Sequence, residues 1–580
     1  PQDGEGLTNL ATFLGYADVG AFGSEILSHL GNVETHYAAL FEDAPSLGAQ
    51  GDEAGNLVFT GGEADPDTLD TIKRLGFKDS AIIDEAVRGW HHGRYRSTRS
   101  ARTREMLTEL TPMLLRAFAG AANSDAAFLK FDEFLSRLPA GIQLFSMFYS
   151  NPHLLDLVAE IMGGASRLAD HLSRTPSILD SVLGADFFAP PPPPESLDGE
   201  LSLLLEGAGN PEEILDISRR WANDRKFQAG VQSLRGHLSC RGAQAALSNI
   251  AASALKCLQP HIEEEFAARH GRFEGSGMAI LAMGKLGGGE MTPSSDLDLI
   301  FVYASGEEAG ASDGRRPLPP SQYFARLSQR LINALTAPTA EGKLYEVDMR
   351  LRPSGNAGPI ASSLEAFVQY HDEEAWTWEH MALTRARVIA GPAGLRQKVE
   401  GVIADTLTRP RDLDRLRGDV AEMRARMEME KHTDFIWDVK FRRGGLVDIE
   451  FIAQYLQLKH AHGHREILSP SIRTALKRIR DAGLLETAKA DHLIEALDLW
   501  HAIQGLLRLT IEGDVSREWE NGVPGEVRDT LARHCGAVDF TALKDKIELS
   551  SGRVYGYFTD LIGEPAGDIA GERQTEENAR

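Results

Sequence analysis

Residues 278–303, MAILAMGKLGGGEMTPSSDLDLIFVY, constrain this chain more than any other stretch. Two apolar runs of strand character, 278–283 and 297–303, bracket a turn that carries Gly284, Gly287, Gly288, Gly289 and one lysine, Lys285. Strand side chains alternate faces, so Asp296 and Asp298 project the same way at the head of the second run. Two carboxylates held side by side repel, and a cation between them relieves the repulsion. Glycine has no Cβ, so the turn can bring backbone N–H groups against phosphate oxygens. Taken singly, each feature has a structural reading: Asp296 as a turn cap after Ser294-Ser295, Lys285 as a surface lysine, the glycines as a loop. Together they read as a nucleotide site.

A third acid completes the set. In residues 344–352, Tyr345, Val347, Met349 and Leu351 alternate with Glu346, Asp348, Arg350 and Arg352, a strand with one apolar and one charged face, ended by Pro353 and Gly355. Pairing beside the first carboxylate strand would join Asp348 to Asp296 and Asp298, with Arg350 and Arg352 reaching toward the same anion. Three carboxylates around one or two Mg²⁺ ions suit in-line displacement at phosphorus.

The pattern of a glycine turn, an Asp-x-Asp strand and a later strand carboxylate resembles the nucleotidyltransferase superfamily that includes DNA polymerase β. The fuller text, GKLGGGEMTPSSDLDLIFVY, YEVDMRLRPSGNAG, AWTWEHMALTRARVIAG and KFRRGGLVDIEFIAQYL, resembles the bacterial glutamine synthetase adenylyltransferase over residues 278–458. That family carries one half that adds AMP to glutamine synthetase and one that removes it by phosphorolysis, and the wording here resembles the adding, C-terminal half. The resemblance implies a mostly α fold with an α+β, polymerase-β-like catalytic domain and helical domains on both sides. It implies Mg²⁺-dependent transfer of AMP from ATP to a tyrosine hydroxyl of glutamine synthetase, with pyrophosphate released and nitrogen assimilation turned down. Asp296, Asp298 and Asp348 would then be the catalytic and metal-holding residues. Gly284, Lys285, Gly287, Gly288 and Ser295 would hold the nucleotide phosphates, and Arg350 and Arg352 would meet charge developing in the transition state. PII protein and glutamine are the regulators the family implies, and no residues can be assigned to them.

Across the whole chain, 580 residues with a net charge of −24 argue against non-specific binding to nucleic acid. No apolar run reaches the ~18 residues of a membrane span. Cys240, Cys257 and Cys535 lack metal spacing and read as reduced thiols of a cytoplasmic protein. Pro1 is not a natural start, and the expectation is a fragment of a longer chain.

Five segments are expected: a helical region at 1–140 (the tail of a missing adenylyl-removing half), a helical linker at 141–262, the catalytic domain at 263–393, a helical domain at 394–565 and a disordered tail at 566–580. Asp65-Pro66-Asp67 reads as a helix cap, and no glycine-turn-plus-Asp-x-Asp site of the kind above precedes residue 250, so the removing site is expected to be absent. The basic, aromatic-laced residues 88–99 read as a solvated connector. Asn151-Pro152 and Thr175-Pro176 read as helix starts, Pro190 to Pro194 as a stiff spacer, and residues 306–320 as a mobile surface loop ahead of a helix capped by Ser321. Arg385 and Arg387, on an expected strand at 383–390, would contact phosphates or pair with Glu379 and Glu374. Trp376 and Trp378 read as core. Residues 412–429 read as a solvent-laced helix. Gly444-Gly445, opening a helix beside Lys440, Arg442 and Arg443, suits a triphosphate or pyrophosphate. The alternative there is an ion-pair cluster of Lys440, Arg442, Asp448 and Glu450. Two rival functions stay open: a PII uridylyltransferase-like enzyme, and a non-catalytic module that binds PII or glutamine.

Overall fold

The computed structural model describes the chain apart from residues 1–3, 27, 30–56, 60–63, 122, 177, 185, 307–309, 432, 511–519, 521–522, 524 and 565–580. The expected tail at 566–580 lies outside the described residues. The fold is mostly helical with one small mixed sheet, and the chain divides into two compact units, Pro1–Ala165 with Leu172–Pro176 and Ser166–His171 with Ser177–Arg580. Among the described residues no helix is long and apolar enough to cross a membrane.

The first unit is helical. Asp65 caps Pro66–Leu75 by accepting the Thr68 N–H at 2.9 Å, so that Asp-x-Asp does belong to a helix start. Ser80–His91, Ala101–Ala119, Ser124–Arg137, Ile142–Ser150 and Pro152–Gly164 follow. Their core is aromatic: Trp90, Phe118, Phe128, Phe131, Phe134, Phe145 and Phe148 are fully buried. The reading of residues 88–99 as a solvated connector holds for the exposed His92, Arg94, Arg96 and Arg99 and is corrected for Trp90, which is buried. Trp90 Nε1 donates to Asp132 at 2.6 Å and the Tyr95 hydroxyl to its other oxygen at 2.9 Å; one buried-edge carboxylate satisfies both polar tips, so both rings can turn inward.

The second unit is built on a sheet. Pro211–Leu234 (α1) and Cys240–His270 (α2) lead into β1, Gly277–Ala282, and the glycine turn follows as a short helix, Gly284–Gly288 (α3). Then come β2, Leu297–Ala304; α4, Pro320–Thr336; β3, Val347–Asp348; β4, Ala361–Ser363; α5, Thr377–Leu383; and β5, Arg387–Ala390. Strand β1 runs antiparallel to both β2 and β5, while β3 and β4 pair parallel with the start and the end of β2. Alternation assigns Ala279, Leu281, Ile300 and Val302 to one face and Met278, Ile280, Leu299 and Phe301 to the other. The first face packs under helix Ala393–Leu407 through Leu395 and Val399, and the same core continues into Leu413–Lys431 (α6), Leu446–His460 (α7) and Thr487–Thr510 (α8) through residues such as Val420, Ile449 and Trp500. The second packs on α2 and α4 through Leu255, Leu258, Phe324 and Leu331. Each such side chain contributes roughly 1.5–3 kcal/mol when removed from water, which favours a sheet covered on both faces. Helix Phe540–Leu561 (α9) closes the far side of α7 and α8.

Several local expectations are corrected. The strand expected at 344–352 shrinks to Val347–Asp348. Arg352 is buried and donates to the carbonyls of Met349 (2.8 Å), Asn356 (3.2 Å) and Gly358 (3.3 Å), which winds residues 349–358 into turns instead of a strand. Residues 383–386 are not strand; α5 ends at Leu383 and β5 starts at Arg387. Pro319, not Ser321, stands at the N-cap of α4. The described part of the 306–320 loop is tied down, with Asp313 N–H donating to Arg272 O and Gly314 N–H to His270 O, both at 3.2 Å. Thr175-Pro176 precedes only a five-residue helix, Ile178–Val182. Trp376 and Trp378 are 72% and 36% exposed, not core. All three cysteines are free.

Candidate active site

The parallel register of β2 and β3 pairs Leu297 with Val347 and Asp298 with Asp348. Two main-chain bonds close this end of the sheet: Met283 N–H to Asp298 O and Leu297 N–H to Glu346 O, each 2.9 Å. Asp296 is exposed just ahead of β2. Ser295 builds the turn that delivers it, its hydroxyl accepting the Thr292 N–H at 2.9 Å and bonding the Thr292 hydroxyl at 2.8 Å. In this structure Ser295 is therefore a turn residue.

Charge crowding shows on Asp298. Burial first, then the Asp348 and Asp296 carboxylates, push its carboxyl up to about 6. Asp348 moves the other way: hydrogen bonds from Arg350 hold it below the ordinary carboxylate range. Arg350 Nε and N–H each donate to Asp348 at 2.8 Å, while the arginine side chain is otherwise mostly exposed. Arg350 thus stands at the acids as expected, while Arg352 hydrogen-bonds the carbonyls of its own turn and acts on Asp348 through its charge alone.

The glycines of α3 are explained by what they touch. Gly284 has φ +53° and a Cβ there would lie 2.4 Å from Asp298 Oδ2. A side chain at that position would collide with the carboxylate, so glycine lets the turn and Asp298 meet. Gly287 and Gly288 face elsewhere: their Cβ atoms would lie 1.9 Å from the Arg385 carbonyl and 2.3 Å from its guanidinium. Packing against Arg385 accounts for both. Lys285 donates to Gln504 Oε1 of α8 at 3.0 Å, and burial, then the neighbouring Lys440, push its ammonium down to about 8.

Arg385 is the group that sequence reasoning placed wrongly. Buried, it pairs with Glu290 at the end of the glycine turn and donates to Glu450 of α7 at 2.8 Å, not to Glu379 or Glu374. Glu379 instead accepts the Tyr370 hydroxyl (2.6 Å) and Trp376 N–H (2.9 Å). Arg387 donates to Leu286 O at 2.9 Å. The turn is therefore clamped from beneath by two arginines and reached from α8 by Gln504. Glycines adjacent to a long-range arginine gave no signal in the sequence.

Arg442 and Arg443 are also corrected. Arg442 donates to Glu548 of α9 (2.9 Å) and Ile436 O (3.2 Å); Arg443 donates to Glu428 of α6 (2.5 Å) and lies over the Tyr555 ring. Gly444 at φ +73° has no room for a Cβ, which would sit 1.9 Å from Ser551 O, and its N–H donates to Asp448, itself paired with buried Arg424. Ion pairing between helices, with Arg424, Glu428 and Glu548 as partners, accounts for this segment. Lys440 is the member that bears on the site, its charge acting on both Asp298 and Lys285.

Among the described residues no group of three or more His, Cys, Asp or Glu side chains stands in metal-holding geometry. The donor chemistry nonetheless fits a hard divalent cation: three carboxylates at one sheet end, with the middle one raised by burial and then by its two neighbours. Lys440 and Arg350 act on them, and Lys285 stands on the adjoining turn, bonded to Gln504.

Two family models match this chain. One, described as glutamate-ammonia ligase adenylyltransferase, matches residues 155–402 and so contains the three acids and the glycine turn. The other, described as GlnD PII-uridylyltransferase, matches residues 414–560, the helices after the sheet. Among individual proteins, bifunctional glutamine synthetase adenylyltransferase/adenylyl-removing enzymes are similar along nearly the whole chain. That of Mesorhizobium japonicum is 45% identical over 97% of this chain and 56% of its own length. That of Rhizobium meliloti is 44% identical over 97% and 56%, and that of Brucella melitensis 43% over 98% and 57%. The chain is homologous to these adenylyltransferases and spans just over half of their length.

Proposed function

We propose that this chain transfers AMP from ATP to a tyrosine hydroxyl of glutamine synthetase, releasing pyrophosphate and lowering nitrogen assimilation. The observation that carries the reading is the parallel register that sets Asp348 beside Asp298, one turn from Asp296 and against Gly284. Residues 263–393 would be a polymerase-β-like catalytic domain, between helical segments at 141–262 and 394–565, in a cytoplasmic enzyme. The similarity to the adenylyltransferase model over residues 155–402 supports this over a uridylyltransferase, whose model matches only the later helices.

Asp296, Asp298 and Asp348 would hold Mg²⁺, which when bound neutralises phosphate charge and makes the attacking hydroxyl more acidic. A tyrosine hydroxyl has an ordinary pKa of about 10, so it needs such help or a base. Asp348, ionised beside Arg350, would accept the hydroxyl proton once the metal has made that hydroxyl more acidic. Arg350 is exposed enough to exchange its carboxylate for a phosphate oxygen, and a positioned arginine can contribute ~10³-fold. Gly284 leaves room at Asp298, and Lys285 with Lys440 would offset the charge of the departing pyrophosphate. The adenylyl-removing site is placed outside this chain in the same reading. PII and glutamine are proposed effectors, PII on the strength of the match at residues 414–560. Asp348→Asn should abolish AMP transfer to glutamine synthetase while the far-UV circular dichroism is unchanged; full transfer by that variant would overturn the role.

A further inference from the structure

Beside Asp296 the second unit contains a cavity of about 430 Å³, bounded by α1, α2, residues 291–296, residues 343–346 and the end of α8. Volumes of this size hold small molecules. Its walls are largely apolar, with Leu168, Leu247, Met291 and Leu509 among them. Charged side chains line it too, Arg167, Lys226, Asp296 and Glu346 among them, and two neutral polar groups stand out. The Tyr345 hydroxyl and the Gln244 amide nitrogen belong to side chains only 8% and 4% exposed, and neither atom has a hydrogen-bond partner. Buried donors left unpaired in this way are rare in folded proteins and point to a missing partner. The cavity adjoins the candidate site: Asp296 lines it, and so does Gly505, next to the Gln504 that holds Lys285.

We propose that this cavity takes the adenosine part of the nucleotide donor, with Gln244 reading the base edge and Tyr345 supplying a second hydrogen bond. The proposal rests on the nucleotidyl-transfer reading above and names its specificity pocket. A carboxamide matches adenine, accepting from N6 and donating to N7, whereas the same group meets guanine with its O6 acceptor against a carbonyl. The apolar walls cover the faces of the ring. The site therefore prefers ATP to GTP, because a pocket built to hydrogen-bond one edge leaves its own buried groups unpaired with the other.

The test is equilibrium binding of labelled ATP with Mg²⁺ to the full chain, displaced by unlabelled ATP or GTP. Wild-type protein should release label to GTP only at ~10-fold or higher concentration than to ATP, and Gln244→Met should weaken ATP by ~10-fold and bring the two competitors together. Tyr345→Phe should weaken ATP by a few-fold (~3-fold) and leave the ATP/GTP ratio unchanged. GTP displacing label from wild type as well as ATP does would overturn the pocket assignment without any variant. So would Gln244→Met that keeps the wild-type ratio; both leave nucleotide binding itself standing. No ATP binding by wild type would remove the nucleotidyl-transfer reading together with the pocket.

Discussion

Lys226 shows how one residue's surroundings become a measurable property. Its ammonium lies 3.6 Å from the Tyr345 ring centroid and donates to Leu344 O at 3.0 Å, and burial holds its pKa down to about 7. An unfolded lysine titrates near 10.4, so between about 7 and 10.4 the unfolded chain binds more protons than the folded one. Stability then rises with pH across that window, and the penalty for Lys226 is fully present below it. Lys226→Met should accordingly gain stability relative to wild type at pH 7, with the gap closing toward pH 10; thermal melts at the two values check this, and a gap independent of pH would contradict it. At this scale Asp298 was legible because strand alternation is a local rule, although Asp296 is delivered by the Ser295 turn just ahead of β2. Arg352 was not: the same alternation aimed it at the site, and three carbonyls of its own turn won instead. Nor did the aromatic character of Trp376 reveal that it would stand 72% exposed.

Among the elements, α3 is held by charge as much as by sheet geometry. Arg385 is separated from Glu290 by 95 residues and from Glu450 by 65, so this clamp was invisible to any reading of neighbours along the chain. The side chains of Arg385 and Glu290 are 5% and 9% exposed. Removing one member of such a pair leaves the other charge buried without compensation, at a cost of ~3–5 kcal/mol. Arg385→Met should lose about that much in urea denaturation, and the double variant Arg385→Met/Glu290→Met should recover a large part of it. A single variant within ~1 kcal/mol of wild type would show that the pair is not the clamp described. The helix boundaries fared better in sequence where a cap marked them, as at Asp65, than where proline and serine competed, as at Pro319 and Ser321.

For the whole molecule, the alternation of helical segments around one carboxylate-bearing sheet was legible in broad outline. How α6, α7 and α9 are joined was not, since the ion pairs link residues far apart in sequence, Arg424 of α6 with Asp448 of α7 and Arg442 with Glu548 of α9. The second of these took an arginine that the Gly444-Gly445 helix start had offered to a phosphate. The homologous adenylyltransferases extend well past this chain. The most direct measurement is transfer of label from α-³²P-ATP and Mg²⁺ to purified glutamine synthetase, with wild type beside Asp296→Asn/Asp298→Asn. Label on glutamine synthetase, lost in the double variant, is the predicted result. Equal label with both proteins, or none with a wild-type chain that binds Mg²⁺ and ATP, would contradict the assignment of these carboxylates to AMP transfer.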